Sequence, residues 1–266
     1  MTLSISHTFI YILIGIFAGL MAGILGIGGG IIVVPGLVFV FQMTQEVPNQ
    51  FIMHVAAGTS LAAMIFTSIA AISAHAKLGT IQWPVFNNLW PGIALGTVTG
   101  AAIAEFIPAQ WLKIIFAAFL FFAAYKMYKD VHAKRGKKAP GAWIDKIVSF
   151  CIGLKSGLLG VGGGVLIIPY LTYCGVAVRK IAPVSNLCTL TVALVGSVAF
   201  ALTGWKDMAA VPYATGYVFW PAVLFIAISS SIFAPVGAKL NYILPVEQLK
   251  YGFIVILLLT ALKMLF

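Results

Sequence analysis

Long apolar runs that contain almost no charged residues dominate the sequence. Only 8% of the 266 residues are charged and 62% are hydrophobic, whereas about a quarter of the residues in a soluble domain are charged. Runs of this length are longer than the core strands and helices of a water-soluble fold. The sequence therefore predicts an all-α protein that passes through a membrane several times.

The apolar runs predict about eight transmembrane helices, four in each half of the chain. They lie at residues 9–26, 55–74, 84–104 and 112–128, and at residues 147–159, 184–202, 211–233 and 249–266. Two shorter apolar stretches, 31–41 and 165–178, each follow three consecutive glycines. At about 1.5 Å of rise per residue, they are too short to cross a hydrocarbon core of about 30 Å comfortably. They predict two short helices that begin at glycine-rich breaks.

The two halves are related to each other. Residues 23–35 and 157–169 are identical at seven of thirteen positions, and the other six exchange one aliphatic residue for another. A second match aligns Pro108, Lys113, Phe116, Lys126 and Met127 with Pro245, Lys250, Phe253, Lys263 and Met264. Two matches at similar offsets indicate an internal duplication. We divide the chain into a first repeat (1–128), a basic linker (129–146) and a second repeat (147–266).

Positive charge is concentrated around the linker. Seven of the sixteen basic residues fall between Lys126 and Lys146, which predicts a cytoplasmic linker in a multi-pass protein of the cell inner membrane. The net charge of +10 is therefore no indication of nucleic-acid binding. It predicts contact with anionic membrane lipids instead. Turning the chain back at each glycine break places more Lys and Arg on the linker side than eight plain crossings do, and this favours inverted repeats over parallel ones.

The glycine clusters are the first candidate binding elements. A dinucleotide-binding fingerprint needs a preceding strand, a soluble βαβ unit and a later acidic residue, and the sequence contains none of these. In a membrane helix, consecutive glycines unwind the backbone and free amides that the bilayer cannot satisfy. An anion at the N-termini of the two short helices would pair with those amides. The clusters consist of Gly26, Gly28, Gly29 and Gly30 in the first repeat and Gly160, Gly162, Gly163 and Gly164 in the second.

Close helix packing is the alternative role for these glycines. We assign that role to Gly92, Gly96 and Gly100, which follow one another at four-residue spacing.

Small polar residues begin the long helix after each break. Thr59 and Ser60 occupy this place in the first repeat, and Ser185 and Asn186 occupy it in the second. Hydroxyl and amide groups can donate hydrogen bonds to an oxyanion without a full charge, so we include all four in the candidate site. The alternative, that the hydroxyls bond to the preceding turn of their own helix, stays open.

Lys155 is the one ionisable residue placed well inside an apolar segment. A buried ammonium is costly in lipid and is a candidate functional group, here the positive pole of an anion site. Alternatively, its side chain extends toward the basic linker. Met21 holds the equivalent position in the first repeat.

No residue pattern indicates catalysis, a metal or a cofactor. The three cysteines lack metal-ligand spacing. All six acidic residues fall in loops or at helix ends, so the sequence has no intramembrane carboxylate relay. An intramembrane enzyme would need a Ser/His or paired-carboxylate arrangement, which we do not find. We predict that the chain is not an enzyme; a membrane assembly or scaffold protein without a substrate stays open as an alternative, and so does homo-oligomerisation.

The repeated Gly-x-x-Gly-x-Gly-Gly-Gly-x-x-x-x-Pro element, followed by Thr-Ser or its equivalent, resembles the sulfite exporter TauE/SafE family of membrane permeases. The resemblance covers essentially the whole chain. It implies transport of sulfite, sulfoacetate or another organosulfur anion, and a site near the midplane between two broken-helix repeats. It points to residues 26–30 with Pro35, Thr59 and Ser60, and to residues 160–164 with Pro169, Ser185 and Asn186. Ser185-Asn186 replaces the usual Thr-Ser, and Lys155 stands where an apolar residue is common; both departures leave the identity of the anion open.

Overall fold

The computed structural model describes residues 5–77, 81–131, 141–176, 178–243 and 246–265. This part of the chain contains ten α-helices, one 3-10 turn at Asn49–Phe51 and one two-stranded antiparallel ribbon. The elements of the first repeat are α1 (Ile5–Leu25), α2 (Gly30–Thr44), α3 (Ile52–Lys77), α4 (Trp83–Glu105) and α5 (Ala109–Val131). Those of the second are α6 (Ala142–Leu159), α7 (Gly164–Tyr173), α8 (Val178–Thr203), β1 (Ala214–Thr215), β2 (Val218–Phe219), α9 (Trp220–Ile243) and α10 (Val246–Leu265).

The helical membrane class is confirmed. Five helical segments in the described residues are long and apolar enough to cross a membrane: Thr8–Leu25, Asn49–Lys77, Ala109–Lys129, Lys180–Thr203 and Trp220–Asn241. Large apolar side chains such as Leu95, Phe106 and Leu259 are exposed on the outside of the bundle, where lipid would cover them. The full number of crossings and the inversion of the repeats stay predictions.

The two predicted short helices are present. α2 has 15 residues and α7 has 10, and each begins one residue before the predicted start. Pro35 and Pro169 are each the sixth residue of their helix. They lie beyond the first turn, so each removes one intrahelical hydrogen bond.

One predicted span is wrong at its N-terminal end. Helix α9 begins at Trp220, whereas the prediction began at residue 211. Residues 204–219 form turns and the β1–β2 ribbon instead. Pro212 has no backbone N–H, and Tyr213 and Gly216 have positive φ angles, so a continuous helix is broken there.

The segment between α5 and α6 is shorter than the predicted linker 129–146, because α5 continues to Val131 and α6 already begins at Ala142. Asp145 lies in the first turn of α6, where a carboxylate is favoured by the helix dipole. The central linker residues 132–140, which include four of the seven clustered basic residues, lie outside the described part of the chain.

The two repeats pack on each other through equivalent pairs of helices. Helix α1 packs on α9, and α6 packs on α4, so the first helix of each repeat contacts the fourth helix of the other. Glycines make both contacts close. An added Cβ at Gly19 would lie 2.8 Å from the Cα of Ser230, and one at Gly153 would lie 2.9 Å from the Cα of Ile93. The same helix contact therefore occurs twice, once in each direction between the two repeats.

The packing role assigned to Gly92, Gly96 and Gly100 is confirmed, since each of them abuts α6. We expect Gly96→Ala to lower the melting temperature in detergent, because its Cβ would lie 2.7 Å from the Leu154 amide nitrogen and would force the two helices apart. Gly252→Ala is the matched control, since nothing lies within 4 Å of its added Cβ in α10. There the change should be neutral or stabilising by about 0.5–1 kcal/mol. Equal melting of the two variants would contradict the close α4–α6 contact.

Candidate functional site

The two glycine breaks lie side by side where the repeats meet. We call residues 26–29, between α1 and α2, the first connector, and residues 160–163, between α6 and α7, the second connector. An added Cβ at Gly164 would lie 2.5 Å from the Cα of Ile27, and one at Gly30 would lie 3.0 Å from the Cα of Val161. The structure therefore brings both predicted glycine clusters into one place.

Backbone conformation explains part of the glycine requirement. Gly26, Gly28, Gly29 and Gly160 all have φ between +68° and +82°, a region that residues with a Cβ rarely adopt. Gly30, Gly162 and Gly164 are needed for space, because the backbone of the opposite connector lies against them, whereas an added Cβ at Gly163 would meet only side chains.

Each connector packs on the long central helix of the opposite repeat. Gly26 abuts Ala182 of α8, and Gly160 abuts Ala57 of α3, which makes Ala57 and Ala182 equivalent. Three residues further along, Ser60 is equivalent to Ser185. This pairing differs by one residue from the one that the sequence indicated, in which Thr59 corresponded to Ser185.

Most of the connector amides have no hydrogen-bond partner among the described residues; the exceptions are Gly26, Gly160 and Val161, whose amides donate to the preceding helix. Among the described residues, no group accepts a hydrogen bond from the backbone N–H groups of residues 27–31 or of residues 162–165. These amides belong to the N-termini of α2 and α7, where a helix leaves its first N–H groups unpaired and carries partial positive charge. The prediction that the breaks free backbone donors is confirmed.

The carbonyl groups at the end of α1, in contrast, are paired by side chains. Ser185 Oγ donates to the Gly26 carbonyl at 2.6 Å, Asn186 Nδ2 donates to the Ala22 carbonyl at 3.3 Å, and Asn241 Nδ2 donates to the Ile24 carbonyl. His75 Nε2 lies 3.3 Å from the Gly23 carbonyl. Ser185 and Asn186 are thus at the connectors as predicted, but in this conformation their donors cap a helix.

Three of the eight buried side-chain polar atoms without a described partner lie on the segments of α3 and α8 that follow the connector contacts. They are Ser60 Oγ, Thr189 Oγ1 and Asn186 Oδ1, and all three residues are fully buried. A buried polar atom without a hydrogen bond is costly, so a ligand that bonds to any of these atoms would gain free energy. Thr59 differs, because its Oγ1 accepts a hydrogen bond from the Phe219 amide at 3.0 Å and holds the ribbon against α3.

Thr189 is a site residue that the sequence analysis missed. Its methyl group is close to both connectors, within 2.6 Å of an added Cβ at Gly162 and closer still to one at Gly28. It lies four residues after Ser185 and therefore on the same face of α8, a spacing that could have identified it. At the equivalent place on α3, Met64 puts its sulfur 3.3 Å from an added Cβ at Gly28.

Lys155 does not join this group. Its side chain is exposed, and its ammonium lies 5.7 Å from the centre of the Phe122 ring. It lines a cavity on the outer side of α7 rather than the space between the connectors.

The β1–β2 ribbon closes one side of the site. Tyr217 is buried, its ring lies 5.1 Å from that of His54 and 5.7 Å from that of Phe51, and its hydroxyl donates to Asp207. Burial raises the pKa of the Tyr217 phenol, and the hydrogen bond to Asp207 raises it further, so the hydroxyl stays protonated. Every residue of the two connectors is buried. The described conformation is therefore occluded, and access to the connectors requires movement.

Comparison with known proteins connects this arrangement to transport. The family described as "Sulfite exporter TauE/SafE" matches residues 11–264. A probable membrane transporter protein of Haemophilus influenzae is 32% identical over 254 residues, which cover 95% of this chain and 96% of the relative. A probable membrane transporter protein of Methanocaldococcus jannaschii is 29% identical and covers 86% of this chain and 85% of the relative. No solved structure matches the chain.

The two kinds of polar group at the connectors predict opposite effects on stability. In buffer without oxyanions, we expect Ser185→Ala to lower the melting temperature, because it leaves the buried Gly26 carbonyl unpaired at a cost of about 1–3 kcal/mol. Thr189→Val, which removes an unpartnered hydroxyl at nearly constant shape, should leave the melting temperature unchanged or raise it. Thermal unfolding in detergent measures both. A loss of stability in Thr189→Val as large as that in Ser185→Ala would mean that Thr189 already has a partner.

Proposed function

The chain belongs to the sulfite exporter TauE/SafE family, and on that premise we propose that it transports a small anion, sulfite or an organosulfonate, across the cell inner membrane. Its relatives are probable membrane transporter proteins, which supports transport over the alternative of a scaffold protein without a substrate. Membership in a transporter family also agrees with the prediction that the chain is not an enzyme.

The unpaired connector amides carry this proposal. Two helix N-termini meet there, and both present N–H groups and positive dipole ends without a protein acceptor among the described residues. An oxyanion with three oxygens can accept several of these donors at once. Ser60 and Thr189 would add a hydroxyl from each central helix. Because the donors are neutral, the anion is held without the strong attraction of a buried lysine, and it can leave again.

The proposed site consists of the two connectors, Gly30, Gly164, Ser60 and Thr189, with Thr59, Ser185 and Asn186 beside them. Ser185 and Asn186 can turn from the α1 carbonyls to the substrate when the helices move. Lys155 is left out, because its side chain lies on the outer side of α7.

An inverted arrangement of the repeats completes the proposal. Each connector would turn the chain back, so that the linker and its basic residues face the cytoplasm. The parts of the protein on the two sides of the site would then open alternately around a fixed site, as in other transporters built from inverted repeats. An inside-negative potential would favour export of the anion by about 2.3 kcal/mol per charge per 100 mV.

Flux in proteoliposomes tests the proposal. Labelled sulfite, sulfonates and thiosulfate are offered to vesicles with the wild-type chain or with the Ser60→Ala/Thr189→Val variant. A hydrogen bond to a charged group is worth roughly 1.5–3 kcal/mol, so we expect flux at low substrate concentration to fall about tenfold or more in the variant.

Thr99→Val is the matched control, because Thr99 is half-buried on α4, away from the connectors, and its hydroxyl donates to the Leu95 carbonyl of its own helix. This variant should keep wild-type flux. If no anion moves faster than in empty vesicles, the proposed substrate class is wrong, and if Ser60→Ala/Thr189→Val keeps full flux, the proposed site is wrong.

A further inference from the structure

The short helix α7 leaves a gap in the outer wall of the bundle. Its ten residues rise about 15 Å, half of a hydrocarbon core of about 30 Å. Beside it lies a cavity of about 410 Å³, which we call the α7 cavity. Its lining includes Phe122 and Lys126 of α5, Ile152 and Lys155 of α6, and Pro169 and Tyr170 of α7.

The α7 cavity does not belong to the anion site at the connectors. Leu166 and Pro169 line it and are partly exposed, whereas Ile167 and Leu171 of the same helix are buried in the core. Helix α7 therefore stands between the cavity and the connectors. A small oxyanion would find few donors on this mostly apolar wall.

Two lysines in this cavity have no anionic partner among the described residues. Lys126 and Lys155 are both exposed, and no described carboxylate lies within ion-pair distance of either. Lys155 has the face of the Phe122 ring as its described contact. The neighbouring carboxylate, Asp145, is already engaged by the Tyr170 hydroxyl and by Asn88 Nδ2. An ammonium inside an apolar helix that faces lipid is costly without a counter-ion.

The first repeat contains a second cavity of the same kind. This α2 cavity, of about 280 Å³, lies between α2, α5 and α10 and is lined by Pro35, Phe39, Lys113 and Lys263. Pro35 is the repeat equivalent of Pro169, and Lys263 is the equivalent of Lys126. The Lys263 ammonium lies 3.6 Å from the centre of the Phe39 ring. A pair of lysines beside a short, proline-containing helix therefore occurs twice in the molecule.

We propose that each of these two cavities binds one anionic phospholipid, with the phosphate between its two lysines and an acyl chain along the apolar wall of the short helix. The two positive charges complement the phosphate, and the acyl chain fills the gap that a short helix leaves. A zwitterionic lipid offers the same chains but adds an ammonium next to the phosphate, so it fits less well. This function is independent of the anion carried at the connectors.

Native mass spectrometry of the full chain in detergent tests the proposal. The chain is titrated with phosphatidylglycerol and, separately, with phosphatidylethanolamine of the same acyl composition. We expect up to two bound phosphatidylglycerol molecules per chain and much weaker retention of phosphatidylethanolamine. In the Lys126→Met/Lys155→Met variant, affinity for one of the two molecules should fall roughly 25-fold, about fivefold for each lysine.

Lys129→Met is the matched control, because Lys129 is exposed on α5, lies over the Tyr125 ring and does not line the cavity. It should bind lipid like the wild type, and Lys126→Arg/Lys155→Arg should keep both lipids. Inorganic phosphate and sulfite serve as competitors, and neither should displace phosphatidylglycerol at concentrations equal to that of the lipid.

Equal retention of the two lipids, or unchanged phosphatidylglycerol binding in Lys126→Met/Lys155→Met, would overturn the proposal. So would displacement by inorganic phosphate, which would indicate a site for the free anion, or displacement by sulfite, which would make the cavity part of the substrate path. Lipid retention is read without any flux, so failure of the transport proposal would leave this result unaffected.

Discussion

The lack of water in the bilayer core is the constraint on which the rest of this structure depends. A backbone amide or carbonyl that leaves a helix there has to find a partner within the protein or in a ligand. The helical conformation is interrupted twice, at residues 26–29 and at residues 160–163. Each interruption lies against the equivalent interruption in the other repeat. Glycine permits the positive φ angles at Gly26 and Gly160, and it permits the close approach of the two backbones. A single unwound helix would have no such neighbour, which explains why the break occurs in both repeats.

The backbone carbonyls and the backbone amides at the helix breaks differ in their hydrogen-bond partners. Three carbonyls at the end of α1 are paired by Ser185, Asn186 and Asn241 of the second repeat, and His75 of the first repeat lies at the Gly23 carbonyl. The amides at the start of α2 and α7 have no partner among the described residues. Pairing of the carbonyls within the protein holds the first connector in place, whereas the amides at the two helix N-termini stay available as hydrogen-bond donors with partial positive charge. In the proposal made above, the carbonyls of this segment therefore have a structural role and the amides bind the anion.

Sequence reasoning predicted the features that depend on local signals. Triple glycines and apolar run lengths located both breaks and the short helices α2 and α7, and the internal match located the duplication. Sequence reasoning failed where the role of a residue depends on the segments that pack against it. Residues 211–219 are apolar enough for a helix, but they fold as a turn and ribbon against α3. Lys155 lies on an apolar helix whose rotation about its axis is set by packing on α4, and this packing turns the lysine outward. Thr189 becomes a candidate site residue because its methyl group lies against both connectors, and within α8 only its four-residue spacing from Ser185 indicates this.

The two repeats have the same order of helices but not the same chemistry, and this difference bears on the proposed transport. At equivalent positions, Met64 presents a thioether to the connectors where Thr189 presents a hydroxyl. The ribbon closes one side of the site through Tyr217, whose ring lies against His54, and through the Phe219 amide, which donates a hydrogen bond to Thr59. Opening on the ribbon side must break this hydrogen bond and separate Tyr217 from His54. The two repeats therefore bring different groups to the candidate site, so the duplication alone does not make its two halves chemically equivalent.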